Sequence, residues 1–398
     1  LDAALFKLEK VERFYFDHNA TTPVSPEVVQ ATVSCLAEVY GNASSIHHFG
    51  QMAKQRLEMA RRQTAALIGC QPQEMVFVSG GTEADNLAIF GVLRYANRQQ
   101  MHVVTTAIEH PAVLNACAQL EREGVAVTYV RVGPSGVVDP DDVRHALRSS
   151  TVLVSVMHAN NELGTLQPIA EVSRIAHEAN LYMHSDGVQA LAKIPVDVNA
   201  LGVDLYSMSG HKIYAPKGVG VLFVRKGTRM TSISFGGHHE RERRPGTENV
   251  PGAVALGRAA ESAADSLEAS APERAALRDR LEAGILDRVS GTGVNGARDR
   301  RTPNTSNIYF DGIDGESLVI ALDLRGFAVS TGAACSSGAV EPSHVLTAIG
   351  LPPERARSSI RFSLGRSNTI EQVDALISAV EDSVRHLRKI SPASQVHA

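Results

Sequence analysis

Val203-Asp204-Leu205-Tyr206-Ser207-Met208-Ser209-Gly210-His211-Lys212 decides the reading of this 398-residue chain. An apolar, strand-like run ends in a tight Ser-Gly-His turn, and a lysine follows at once. At a strand end a lysine can be partly buried, which lowers its pKa and readies its amine for a Schiff base. Taken alone, the tetrapeptide also fits a solvated loop lysine.

Upstream, the strand-like Leu181–His184 runs into Ser185-Asp186-Gly187-Val188-Gln189. A carboxylate there can pair with a protonated pyridine nitrogen and keep the ring an electron sink. A plain turn aspartate capping the next helix is the other reading. The chain between Asp186 and Lys212 has room for one more strand, so consecutive strand ends would face one cleft.

Further upstream, Ser79-Gly80-Gly81-Thr82-Glu83 has a strand ending, two glycines turning and a helix starting. Free N–H groups at such a start suit a phosphate. The stretch is neither a P-loop nor G-x-G-x-x-G, and Thr82 could equally be an ordinary helix cap. Ile108-Glu109-His110-Pro111 lies between strand and helix, where a histidine can stack on a flat cofactor and move protons.

From about Thr22 to Val224 short apolar runs alternate with helical stretches such as Glu83–Asn97, Pro111–Glu123 and Pro168–Asn180. That alternation predicts an α/β fold with a mostly parallel sheet covered on both faces. After Asn249 a long Ala-, Arg- and Glu-rich helical stretch leads to about Val289. Strands at Asn304–Phe310 and Ser359–Ser363 and helices at Glu316–Arg325 and Ile370–Lys389 then suggest a smaller α+β unit. The expected division is a large domain over 16–255 and a small one built from 1–15 and 256–398.

Lys plus Arg number 39 and Asp plus Glu 43, a formal charge of −4 that gives no support for nucleic-acid or membrane-surface binding. No apolar run is long enough to span a bilayer, and Leu1–Phe16 has no signal-peptide core. The four cysteines, Cys35, Cys70, Cys117 and Cys335, fit no zinc spacing, and no metal is expected. A reducing cytoplasm is the expected location. Three of the four thiols sit in apolar or helical surroundings and read as inert. Cys335 differs, because Ser330–Ala339 is small, flexible and polar, a poor core segment and a good mobile loop.

Taken in order, these motifs resemble the class V aminotransferase group, in the branch of cysteine desulfurases similar to the nitrogen-fixation and iron–sulfur housekeeping enzymes. The matching stretches also include Tyr15–Pro23, His158–Gly164, Pro245–Asn249, Gly332–Ser337 and Ser359–Ser363, so the resemblance covers about residues 15 to 385. It implies a fold type I pyridoxal 5′-phosphate (PLP) enzyme with a seven-stranded type of sheet. Lys212 would hold the cofactor and move the substrate α-proton. Asp186 would pair with the ring nitrogen, Gln189 with the ring oxygen, and His110 would stack and help with proton transfer. The turn at Gly81 and Thr82, with Ser209 and His211, would bind the phosphate, joined by Thr247 of a neighbouring subunit in a homodimer. Asn161 and Arg361 would hold the substrate carboxylate.

Cys335, on a loop expected over about 328–342, would take sulfur from L-cysteine, release L-alanine and pass the persulfide to a sulfur-acceptor protein such as an iron–sulfur scaffold. Two details depart from the common pattern: His18 replaces a smaller polar residue, and the loop reads Ala-Ala-Cys-Ser-Ser. The long loop favours the housekeeping and nitrogen-fixation type. A PLP aminotransferase, a selenocysteine lyase and a non-catalytic PLP-binding sulfur-transfer scaffold stay open as alternatives.

Overall fold

Runs of Val, Leu and Ile make strands that are buried on both faces once helices cover the sheet. The structure, a computed structural model, describes residues 12–97, 99–331 and 342–390. The chain enters through a short strand, β1 (Phe14–Tyr15). Seven strands then build the main sheet: β2 (Met75–Val78), β3 (His102–Thr106), β4 (Ala126–Val130), β5 (Thr151–Ser155), β6 (Tyr182–Asp186), β7 (Leu205–Ser209) and β8 (Gly220–Val224). Their order is β2-β8-β7-β6-β5-β3-β4. Only β8 runs against its neighbours, so the sheet is mostly parallel, as the strand–helix alternation predicts.

Successive side chains on a strand point to opposite faces. Val76 and Val78 accordingly enter a core with Leu87, Val92, Val113 and Leu120 from the helices Gly81–Ala96 and Pro111–Arg122. Met75 and Phe77 enter the opposite core, with Leu57, Val172 and Leu256 from the helices His48–Leu67, Ile169–Glu178 and Val250–Arg288. Ser25 precedes the helix Pro26–Glu38, but its hydroxyl makes no capping bond. Beside β2, the Arg61 guanidinium pairs with Glu240 through two bonds of 2.7 and 2.8 Å, and Glu240 also accepts the Phe77 N–H.

A separate three-stranded antiparallel sheet follows, in the order β12-β10-β9, from β9 (Thr292–Val294), β10 (Thr305–Phe310) and β12 (Ser359–Ser363); β11 (Phe327–Ala328) pairs with β1 instead. Its core joins Phe16, Ile308, Phe362, Leu318 and Val380. The helix Val250–Arg288 serves both units. Ala253 and Leu256 pack against the main sheet, and Leu281 and Ile285 belong to the second core. The helix passes unbroken through residue 255, where composition suggests a division, so no loop marks that point. Between the two units the chain after β1 bridges Asp17 to Ser363, then lies along the turn after β7, with Thr22 N–H donating to the His211 carbonyl at 2.9 Å.

Candidate active site

Asp186 is the last residue of β6, and Lys212 lies just past the end of β7. The two strands are parallel neighbours, so both side chains belong to one rim of the sheet. Lys212 Nζ donates to the backbone carbonyls of Asn19 at 2.5 Å and Ala20 at 2.7 Å. These neutral acceptors do not offset what burial costs a cation. Burial therefore pushes the amine down to about 8, Arg361 adds to the fall, and Asp17 and Asp186 oppose it.

Asp186 is buried, and its Oδ1 accepts the Val188 N–H at 2.9 Å. Burial raises its pKa, while His110 and then Lys212 favour the charged form. Behind it lies a chain of buried polar groups. Asp85 stands 3.6 Å from His184, whose ring bonds the hydroxyls of Ser155 at 2.8 Å and Ser207 at 2.9 Å.

His110 caps the helix Pro111–Arg122, its Nδ1 accepting the Ala112 N–H at 3.1 Å. That bond leaves the ring proton of the neutral form on Nε2. Burial lowers the pKa of the ring. The preceding Glu109 is buried and accepts from Thr106 Oγ1 at 2.6 Å and Met157 N–H at 2.9 Å, and burial raises it to about 8.

The helix Gly81–Ala96 starts at the end of β2, so its first-turn N–H groups lack partners within the helix. A Cβ at Gly81 would come within 2.9 Å of Val188 and 3.6 Å of Ser209, so only glycine lets the helix start lie against these two residues. Thr82, Asn86, His110 and Asn115 line a groove of about 400 Å³ in front of it. His211 Nδ1 bonds Thr21 Oγ1 at 3.1 Å, and burial holds its ring down at about 4.

Arg361, from β12, reaches the same place. One terminal nitrogen meets Asp17 Oδ1 at 2.6 Å and the other the Asn161 carbonyl at 3.1 Å, while Nε has no partner among the described residues. Gln189 is buried, its Nε2 donating to the Asn19 carbonyl at 2.9 Å. Lys212 and Gln189 are thus joined through the Asn19 carbonyl, and Arg361 and Asn19 both meet the Asn161 carbonyl. The charges of Lys212 and His110 act on Asp186, and Gly81 lies against Val188 and Ser209. Thr247 stands exposed on a loop whose Arg244 binds Glu83 at 2.8 Å. Cys335 lies outside the described residues.

Asn19 is a hub that motif reading does not single out. Its Nδ2 donates to the Asn161 carbonyl at 3.1 Å and Thr305 Oγ1 at 2.9 Å, its Oδ1 accepts from Asn304 and Lys193, and its carbonyl takes Lys212 and Gln189. Its position within Tyr15–Pro23 is the only sequence signal. Asp17 is likewise visible only as part of that stretch, and Lys193 only as a cation four residues after Gln189.

The pattern of the class V aminotransferases matches residues 14–376. The chain belongs to the class V aminotransferase family. It is 47% identical over 379 residues to a protein of Methanosarcina thermophila named cysteine desulfurase IscS, covering 95% of this chain and 93% of that one. A solved NifS-like protein superposes with a TM-score of 0.89 at 37% identity, covering 94% of this chain and all of the other. A structure described as SspA in complex with cysteine has a TM-score of 0.79 at 34% identity over 88% of this chain and 98% of that one.

Class V aminotransferases depend on PLP. The residues present fit that group. Lys212, Lys193 and Arg361 are basic, and Asp17 is the one carboxylate bonded to any of them among the described residues. Two lysines without an acid partner among the described residues suit a ligand carrying a phosphate. Asp186 would meet its ring nitrogen and the Gly81 helix start its phosphate.

Proposed function

We propose that the chain is a PLP-dependent cysteine desulfurase, taking sulfur from L-cysteine onto Cys335 and releasing L-alanine. The observation that carries the reading is Lys212, a half-buried amine held by backbone carbonyls within reach of the Asp186 charge. With a pKa of about 8, about a tenth of such amines are free base at pH 7, against roughly one in three thousand for an ordinary lysine. The bound cofactor supplies an electron sink for the substrate α-carbon.

This chain's residues do the rest. Arg361 holds the substrate carboxylate, its Nε free to donate and its terminal nitrogens already aligned by Asp17 and Asn161. Lys212 would take the α-proton, and His110 would stack on the cofactor ring and serve proton transfer. Asp186 stays ionised once a protonated ring nitrogen lies against it. The Cys335 thiolate attacks the substrate sulfur. As the S–S bond forms, the Sγ–Cβ bond of cysteine breaks, its electron pair stays on Cβ, which is protonated so that the skeleton leaves as L-alanine, and Cys335 is left as a persulfide.

Burial supports Cys335 over the other thiols. Cys70 and Cys117 are pushed up to about 12, and Cys35 is raised as well, so none offers a ready thiolate. The sulfur then goes to an acceptor protein, an iron–sulfur scaffold being the class the IscS name suggests. We assign the chain to a cytoplasmic homodimer. Val29, Val33, Leu36 and Tyr40 are exposed along and just beyond the helix Pro26–Glu38, and Tyr40 stacks on exposed Phe49, an apolar face that a second copy would cover. Exposed Thr247 would reach the partner's phosphate site. No helix among the described residues is long and apolar enough to cross a membrane.

The test is product analysis with L-cysteine and a reductant, together with peptide mapping after borohydride. Equal amounts of alanine and sulfide, and a reduced cofactor on the Lys212 peptide, support the reading. Amino transfer to a keto acid without sulfide would make the protein a transaminase. A colourless protein that takes up no PLP would end the proposal.

A further inference from the structure

Lys193 is a second buried lysine at the cleft, and the scheme above gives it no task. Its Nζ donates to Gln189 Oε1 and, at 2.9 Å, to Asn19 Oδ1. Both acceptors are neutral amides. The charged and titratable groups that face it are Lys212, Arg361, Arg274 and His18, all basic. A buried ammonium without an acid is unfavourable and stays charged only if a negative group arrives.

Geometry says where that group would be. The Gln189 amide is oriented from both ends. Its Nε2 lies 2.9 Å from the Asn19 carbonyl, which can only accept, so Oε1 must face Lys193. Asn19 is oriented in the same way, with Oδ1 taking Lys193 and Asn304 and Nδ2 donating to Asn161 and Thr305. Lys193 therefore stands one residue behind Gln189, the donor to the cofactor's ring oxygen. Through Asn19 it also stands one residue behind Lys212. An ammonium donating to an amide oxygen polarises that amide and strengthens its N–H as a donor.

We propose that Lys193 is a positioning residue that, through Gln189, supplies the positive charge matched to the anionic ring oxygen of the bound cofactor. The inference rests on the PLP reading of the site. Lys193 touches neither cofactor nor substrate in this scheme.

The experiment compares wild type with Lys193→Met and with Lys193→Gln, which keeps a donor and removes the charge. The readouts are the pH midpoint of the visible absorption band of the loaded protein and the affinity of the stripped protein for PLP. A cation near the ring oxygen opposes protonation of the chromophore, so both variants should raise the midpoint by about one pH unit. Affinity should fall about tenfold, as for a lost charge-assisted contact. In a Gln189→Leu background the Lys193→Met shift should shrink below half, because Lys193 has lost an acceptor and sheds its proton. Where Lys193→Met does not fold, Lys193→Gln gives the same readouts. A midpoint unmoved beside a normal wild-type band overturns the inference and leaves the cofactor reading intact, and so does a full-sized shift without Gln189. A wild-type chain with no band overturns both.

Discussion

Replacing Lys212 by methionine should make the cofactor-stripped protein more stable at neutral pH. The folded amine titrates near 8 and an unfolded lysine near 10.5. Between those values the unfolded chain holds more protons, so stability rises with pH, and below about 8 the whole penalty is present. At about 1.4 kcal/mol per pH unit, the penalty at pH 7 is about 3 kcal/mol. Methionine escapes it but leaves the Ala20 carbonyl without its donor, a loss of about 1 kcal/mol. The Asn19 carbonyl keeps the Gln189 N–H. The net gain for Lys212→Met at pH 7 is therefore about 2 kcal/mol, and it should fade toward zero near pH 10, where the folded amine is neutral and the remaining penalty of about 1 kcal/mol only matches the lost Ala20 bond. Urea unfolding of both stripped proteins, followed by far-ultraviolet circular dichroism at pH 7, 8.5 and 10, measures the gap. A variant that is less stable than wild type by the same amount at all three pH values would refute the claim that Lys212 is held as a strained cation. Such a cost at the proposed cofactor lysine would be the usual trade of stability for activity.

Cys335→Ala should keep its colour and its spectral response to L-cysteine while losing sulfide and alanine production. Single Cys35, Cys70 and Cys117 alanine variants should keep most turnover, and mass spectrometry after one turnover without reductant should place the extra sulfur on the Cys335 peptide. Asp186→Asn should bind PLP yet turn over cysteine at least about a hundredfold more slowly, since a neutral amide cannot hold the ring nitrogen charged; activity within a few-fold of wild type would contradict that role. Glu240→Ala should lower stability by about 2–3 kcal/mol, because buried Arg61 loses its two-bond carboxylate and keeps only Glu58 at 3.1 Å and the Met75 carbonyl, and the Phe77 N–H loses its acceptor, read as a drop in melting temperature. Sedimentation should find a dimer at assay concentrations, and a fully active monomer would remove the shared-site reading of Thr247.

Local chemistry was enough for much of this protein. The strand–helix alternation over Met75–Val224 made the parallel sheet legible, because strands covered on both faces must be continuous apolar runs and the helices between them must carry one apolar stripe. Asp186 and Lys212 were legible for the same reason: each follows such a run, and neighbouring parallel strands put their ends on one rim. Only the tertiary structure decided what surrounds them. Asn19 comes from the chain just after β1, Arg361 from the second sheet and Gln189 from the turn after β6, and no local pattern says that they meet. The lowered pKa of Lys212 is a property of that meeting, since it comes from water removed by several segments and from charges far away in sequence. Lys193 shows the limit most plainly. In the sequence it is one lysine among others, four residues past a glutamine; in the fold it is a buried amine facing amides, because the segment just after β1 brings Asn19 against it.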